Sequence, residues 1–271
     1  MIKHTKQFYT SLKDNARIKQ VFYHFKSLLS IAQYELLFKY VSNKYHSEGN
    51  AKILDWGCGN GWFSYYLLNS GYKNVTSYVY GWDDIRPAMA AIKELKVVNG
   101  EDHTLNSPSQ LPFSAGEYDI VFSIGVLEHV HETGGDQAVS LGEINRVLKP
   151  GGVFYCYHLP NKYTWIEYFK AKFLPVEKQA YLHTRKFNSR DIFKLLSATG
   201  FRIKKVRRYN LLPYNIFRNR PINSSLVTWI YRFFDSCLSA TPLNYFCQCY
   251  LFEAEKVHDL SGSEIVSRQK N

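Results

Sequence analysis

Ile53-Leu54-Asp55-Trp56-Gly57-Cys58-Gly59-Asn60-Gly61-Trp62-Phe63 places three glycines at alternate positions between a short apolar run and a segment with helical spacing. Glycine reaches backbone conformations closed to other residues, so such a turn lets the chain reverse sharply and approach a ligand closely. The helix that follows, with apolar positions at Phe63, Leu67 and Leu68 and a stop at Gly71, offers free N–H groups at its start. A dinucleotide fingerprint needs a third glycine for close helix packing, and Trp62 stands at that position. The spacing therefore argues against a nicotinamide dinucleotide.

Outward from this turn the chain alternates strand and helix. Val75–Tyr80 reads as a strand, Pro87–Leu95 as a helix, and Val97–Leu105 as containing a further strand. Tyr118–Ser123 is a buried-strand run, and Gln137–Leu148 is a helix that Pro150-Gly151-Gly152 stops. Val153–Tyr157 is the next strand. This βαβ alternation predicts a doubly wound, mostly parallel α/β sheet with helices on both faces. Residues 1–47 read as an N-terminal helical cap, 48–160 as a cofactor-binding α/β half and 161–257 as an acceptor-side half with inserted helices; 258–271 read as a flexible tail. In the acceptor-side half, helices are predicted at Trp165–Phe173, Ser189–Ala198 and Pro221–Leu238, and strands at Phe201–Tyr209 and Phe246–Lys256.

The glycine segment resembles motif I of the class I S-adenosylmethionine-dependent methyltransferases, hhD-x-G-C-G-x-G. Three further stretches are similar to that family: Leu111-Pro112-Phe113; Val126-Leu127-Glu128-His129-Val130 after Tyr118–Ser123; and Glu143–Gly152, reading E-I-x-R-V-L-K-P-G-G. The resemblance covers about residues 45–160 and implies a seven-stranded Rossmann-like methyltransferase fold with S-adenosyl-L-methionine as cofactor. It implies that Asp55 supports the loop and the methionyl amino group, while Gly57, Cys58, Gly59 and Gly61 pass under the cofactor. Asp84-Ile85-Arg86-Pro87-x-Met89 is similar to the family's D-I-S-P-x-M, which makes Asp84, with Ile85 beside it, the first choice for the ribose hydroxyls and Asp83 the second. Counting from the strand alone places Val79 there instead, and capping of the next helix is the structural alternative for both acids. Ser107 stands where many relatives carry an Asp near the adenine. Ser123 to Gly125 are placed beside the methionine end.

The chain carries a net charge of +11, and it is unevenly placed. Asn161 to Arg232 holds sixteen Lys and Arg against three Asp and Glu, which points to an anionic partner or to a solvated basic face. Five cysteines without zinc-like spacing read as free thiols of a reducing compartment; Cys247 and Cys249 are placed together on one face of the last strand. No apolar run is long enough to span a bilayer, and the N-terminus lacks the apolar core of a secretory signal, so a cytoplasmic location is expected.

Methyl transfer to a hydroxyl needs an aligned acceptor and a group that removes a proton. His158, after the fifth strand, and His183, before the next helix, are the candidate bases; each has a surface or structural histidine as its alternative. Glu128-His129 is read as anchoring its helix, with no metal. Tyr163, Trp165, Tyr168 and Phe169 read either as core or as walls of an acceptor pocket. The helix 221–238 has a wide apolar stripe including Leu226, Trp229, Ile230 and Phe233, for burial against the sheet or for peripheral contact with a membrane. The expected acceptor is a small molecule or a lipid- or glycan-linked one, methylated on oxygen. RNA is the lesser alternative, since no RNA-binding module or (D/N)PPY-type segment is present, and a catalytically silent scaffold is the third reading.

Overall fold

The computed structural model describes residues 2–23, 25–44, 50–81, 83–105, 107–173, 183–214 and 221–257. The tail expected at 258–271 lies outside them, as do Trp82, Arg218 and Arg220. Seven strands form one sheet: β1 (Ile53–Trp56), β2 (Val75–Val79), β3 (Lys96–Asn99), β4 (Tyr118–Ile124), β5 (Leu148–Pro160), β6 (Phe201–Tyr209) and β7 (Cys249–Lys256). Their order is β3-β2-β1-β4-β5-β7-β6. Pairings from β3 across to β5 are parallel, and β7 runs antiparallel to both β5 and β6. The chain winds one way from β1 to β3 and the other way from β4, so the crevice at the carboxyl ends of β1 and β4 is the topological switch point, where open α/β sheets bind ligands.

The central strand explains itself. All four residues of β1 are buried, as a strand covered by helices on both faces requires. Its register sets Asp55 beside Ser77 of β2 and Phe122 of β4, and Trp56 beside Ser123. Helix α5 (Trp62–Asn69) leaves the glycine turn; α6 (Arg86–Ala91) and α7 (Gln137–Val147) connect later strands. Asp136 caps α7 by accepting from the amides of Ala138 and Val139.

The N-terminal region forms four helices, α1 (Lys3–Lys13), α2 (Ala16–Val21), α3 (Leu28–Ala32) and α4 (Glu35–Lys44). Asn15 caps α2, and Ser27 with Ser30 forms a reciprocal box at α3. Buried Glu35 ties α4 to α1 by accepting from the Thr5 amide, 2.7 Å, and the Thr5 hydroxyl. Phe8, Phe25 and Phe38 pack around Trp62 with ring centroids 5.2–6.3 Å apart. The ring of Trp62 thus points into the helical cap and fills the place where a dinucleotide fold needs a glycine.

Three sequence expectations are corrected. The Pro150-Gly151-Gly152 stop lies inside a strand: β5 starts at Leu148, which pairs with Tyr118, and the extra residues are absorbed where the register shifts between Tyr118 and Ile120. β7 begins at Cys249, preceded by a single turn at Pro242–Phe246, so the two cysteines part. The Cys247 thiol lies 3.4 Å from the Ser239 hydroxyl, and that of Cys249 lies 3.4 Å from Nδ1 of His158. All five thiols are free, and Cys237 is the exposed one. Burial pushes the Cys58, Cys156, Cys247 and Cys249 thiols upward.

The third correction concerns the helices that follow β5, α8 (Trp165–Phe173), α9 (Ser189–Ala198) and α10 (Ser225–Leu238). The apolar stripe of α10 is not buried against the sheet: its buried residues are Thr228, Arg232 and Asp235. Tyr163, Trp165, Tyr168 and Phe169 are exposed as well, so they are not core. No helix among the described residues is long and apolar enough to cross a membrane.

Candidate active site

Gly57, Gly59 and Gly61 all have left-handed backbone, with φ of +71°, +50° and +78°. They are constrained for different reasons. A Cβ on Gly57 would sit 2.4 Å from Cγ1 of Val126, and one on Gly61 would sit 2.8 Å from Cδ1 of Ile85. Around a Cβ on Gly59 no atom of the described residues lies within 4 Å; its backbone faces open space at the switch point. The Cys58 amide donates to the Tyr78 carbonyl, 2.9 Å, and the Gly61 amide closes the turn onto the Cys58 carbonyl, 2.8 Å. Cys58 contributes backbone here, because its side chain belongs to the core. Gly61 caps α5 with no side-chain acceptor, which leaves the first amides of the helix to a ligand.

Under the turn lies a buried carboxylate. Asp55 is 1% exposed, and its Oδ2 accepts from the Ser64 hydroxyl at 2.6 Å, which in turn accepts from Ser77 at 2.7 Å. Burial pushes its pKa up to about 7 in spite of the Ser64 hydrogen bond. No cation pairs with it among the described residues. An open glycine cradle above an unneutralised acid fits a ligand that carries a positively charged amino group.

The fit has a measurable consequence. A cation beside Asp55 favours its ionised form, so binding must draw a proton off the carboxyl whenever the pH lies below about 7. Affinity for S-adenosylmethionine is expected to rise about tenfold per pH unit up to that value and then level off. Calorimetry in buffers of different ionisation enthalpy at pH 6 is expected to register proton release to buffer. A pH-independent dissociation constant would exclude this role for Asp55.

The remaining cofactor-side candidates separate. Ile85 is buried against the turn, while Asp83 and Asp84 are exposed on the loop between β2 and α6, with no hydrogen bond or ion pair among the described residues. Asn99, ending β3, accepts from the amides of Gly81, 2.9 Å, and Glu101, 3.2 Å. The Glu101 carboxylate lies 3.9 Å from the point where Gly81 would carry a Cβ. Glu101 is therefore a carboxylate at the ends of β2 and β3 that the sequence reading passed over; its signal was its place directly after a parallel strand. The Ser107 hydroxyl is used in a local turn, accepting from the Ser109 amide. Ser123 is wholly buried within the sheet, and it is Gly125, with φ +70°, that reaches the rim.

Gly125 leads to the two candidate bases. Its amide donates to the Tyr157 carbonyl, and a Cβ there would lie 3.8 Å from both Oε1 of Glu128 and Cβ of His158. The structure brings His158 and Glu128 together at this point, and a ring nitrogen of His183 lies within 4.8 Å of a Glu128 carboxylate oxygen. A contact from His131 Nε2 to the Thr184 hydroxyl, 3.0 Å, links the two segments further.

The two histidines differ in chemistry. His158 holds a left-handed backbone, φ +67°, and burial pushes its pKa down to about 3. Its Nδ1 faces the Tyr209 hydroxyl at 3.0 Å and the Cys249 thiol at 3.4 Å, both proton carriers whose own pKa values burial raises. Nδ1 is thus the acceptor of a neutral ring that carries its proton on Nε2, a poor arrangement for a base. His183 has the reverse setting. Its Nδ1 meets the Glu167 carboxylate, which is also paired with Lys186 at 2.7 Å, and that hydrogen bond raises the imidazole pKa. A carboxylate on Nδ1 fixes the tautomer and leaves Nε2 to take a proton.

Glu128 is buried near both, with no partner for Oε2 among the described residues and a pKa pushed up to about 7 by burial. Glu128, His129 and His183 bring one donor atom each to within 4.8 Å of one another. Sequence spacing showed only the first two. His129 is held by Glu132 at 2.8 Å and His183 by Glu167, so the three read as a proton-handling group. Tyr34, between α3 and α4, also joins the site, with its ring 4.6 Å from Trp62 and 4.9 Å from His158.

The strand order, the glycine turn at the switch point and the buried acid beneath it define a class I methyltransferase domain. The comparisons agree. Residues 54–156 match the family model described as a methyltransferase domain. A relative in Mycolicibacterium smegmatis, described as a probable S-adenosylmethionine-dependent methyltransferase, is 26% identical over 159 residues, covering 59% of this chain and 55% of that one. An uncharacterized methyltransferase of Synechocystis is 33% identical over 118 residues, covering 42% and 50%. The chain thus spans about half the length of these curated relatives. A solved SAM-dependent methyltransferase from Methanosarcina mazei shares the fold with a TM-score of 0.52 at 20% identity, over 78% of this chain and 95% of that one. Residues 54–156 are thus similar to the methyltransferase domain of S-adenosylmethionine-dependent methyltransferases, whose cofactor is S-adenosylmethionine.

Proposed function

We infer that the chain transfers a methyl group to an oxygen of a small-molecule or lipid- or glycan-linked acceptor held beside Gly125. The observation that carries this reading is the His183–Glu167 pair next to buried Glu128, at the rim of β4. The cofactor supplies an activated methyl when bound. What the chain must add is alignment of the acceptor and removal of one proton from its hydroxyl. Nε2 of His183 is the group for that proton, and Glu167 is a positioning residue that holds the ring. Asp55 and the backbone of Gly57–Gly61 are the groups to hold the cofactor, with Asp84, Asp83 and Glu101 as carboxylates for its hydroxyls. His158, with its filled Nδ1, shapes the pocket beside Tyr34 and Tyr209.

The test is mass spectrometry of cell extract incubated with the chain and methyl-labelled cofactor, fractionated into small molecules, lipids and RNA. Label is expected on an oxygen in the small-molecule or lipid fraction. Label confined to RNA would favour the nucleic-acid reading that the basic stretch also fits. No transfer, together with no cofactor binding by calorimetry, would favour a silent scaffold.

A further inference from the structure

Helix α10 is built inside out. Leu226, Val227, Trp229, Ile230, Phe233 and Phe234 are 39–66% exposed, whereas Thr228, Arg232 and Asp235 are at most 2% exposed. The inward face does structural work through polar contacts. Asp235 accepts from the Leu212 amide at 2.8 Å and the Tyr214 hydroxyl at 3.1 Å, and Arg232 donates to that hydroxyl at 2.9 Å. Tyr231 donates to the Pro213 carbonyl at 2.8 Å. A helix in contact with water on its outer side normally has the opposite arrangement, and a contiguous apolar patch of this kind marks an interaction surface.

The patch continues beyond the helix. Trp165 at the start of α8 donates to the Leu211 carbonyl, one residue from the Leu212 anchor of α10. Tyr163 just before it stacks on Tyr245 at 4.5 Å, in the exposed turn with Leu243 and Phe246. Among the described residues, the charges against these rings are cationic. Lys172 lies 5.7 Å from the Phe173 ring and Arg208 lies 5.2 Å from that of Tyr245, with exposed Lys162 and Lys170 alongside.

We propose that α10 and the adjoining aromatic turn dock the chain on an anionic lipid bilayer, with α10 lying in the interface plane. Apolar and aromatic side chains on one face with basic residues at the margin suit that position. At fourteen residues the helix is about 21 Å long, too short to span. A second copy fits less well, because a two-fold contact puts the same cationic margin of Lys162, Lys170 and Lys172 into the interface from both partners and offers it no anion, which lipid headgroups supply. The surface stands on these observations alone; delivery of a lipid-linked acceptor from it to His183 rests on the proposed function.

The experiment is co-sedimentation of the full chain with phosphatidylcholine vesicles, with and without phosphatidylglycerol, at low and high salt. Wild type is expected to pellet with the anionic vesicles and to be released as salt rises. The triple variant Leu226→Ser, Trp229→Ser, Phe233→Ser is expected to lose binding by about tenfold or more, with unchanged melting temperature and cofactor affinity. Phe193→Ser, an exposed ring on α9, serves as the control and is expected to bind as wild type. Wild type remaining in the supernatant, or a triple variant that pellets fully, overturns the proposal. So does a wild-type dimer by light scattering that the triple variant converts to monomer. Failure of vesicle binding leaves methyl transfer in the extract assay unaffected, so the two readings fail separately.

Discussion

Gly59→Arg is expected to abolish S-adenosylmethionine binding, weakening it by more than about a hundredfold, while the chain remains folded. The geometry separates the two effects. At Gly59 an added side chain meets nothing within 4 Å, so it enters the space where the ligand belongs and not the core. The left-handed backbone, φ +50°, costs about 1–2 kcal/mol with any non-glycine residue, a loss a domain of this size tolerates. Gly57→Ala is the useful contrast. Its Cβ would meet Val126 at 2.4 Å, so that variant loses stability as well as binding. Calorimetric titration beside thermal melting reads both quantities. A Gly59→Arg chain that binds as wild type would remove the glycine turn from the site.

His183→Ala is expected to lower kcat by about 10²–10⁴-fold with cofactor affinity unchanged, measured on the acceptor that the labelling experiment identifies. The pH profile tests the pairing more sharply. Glu167 favours protonated His183 and so holds its pKa above the usual 6.5. The base form is populated only as pH rises through that raised value, so the rate climbs there and then levels off. Glu167→Gln removes the carboxylate, moves the rising limb to lower pH and reduces the plateau, because the ring is no longer held. A merely structural role for Glu167 would leave the limb in place. A chelator is expected to leave the rate unchanged; a rate abolished by chelation and restored by a divalent ion would reassign Glu128, His129 and His183 as metal ligands.

The part of this chain legible in its sequence is the part governed by local backbone chemistry. Three glycines between a buried strand and a helix announce a turn whatever surrounds them, and Trp62 excludes the dinucleotide geometry by its bulk alone. The acceptor site was only half visible. His158 and His183 stood out as residue types near strand and helix ends, but their different protonation depends on partners brought in by the fold. Tyr209 and Cys249 reach His158 across the sheet, and Glu167 reaches His183 from α8. Glu128 reads as a helix anchor in the sequence, whereas the fold sets it beside them with an oxygen that has no partner among the described residues. The orientation of helix α10 stayed open for a different reason. Periodicity identifies an apolar stripe but not the side it faces, and the assumption that apolar residues turn inward fails where Arg232 and Asp235 tie the helix to Leu212 and Tyr214 instead.

Reactivity at sulfur is set by where the five cysteines lie. Four are shielded or have their ionisation suppressed by burial, whereas Cys237, near the end of α10, is open to solvent. Alkylation requires the thiolate and access to it, so the folded chain offers one readily modified sulfur per molecule without engineering. A fluorophore attached there reports from the exposed end of α10, and oxidative coupling between two chains would be confined to that same position.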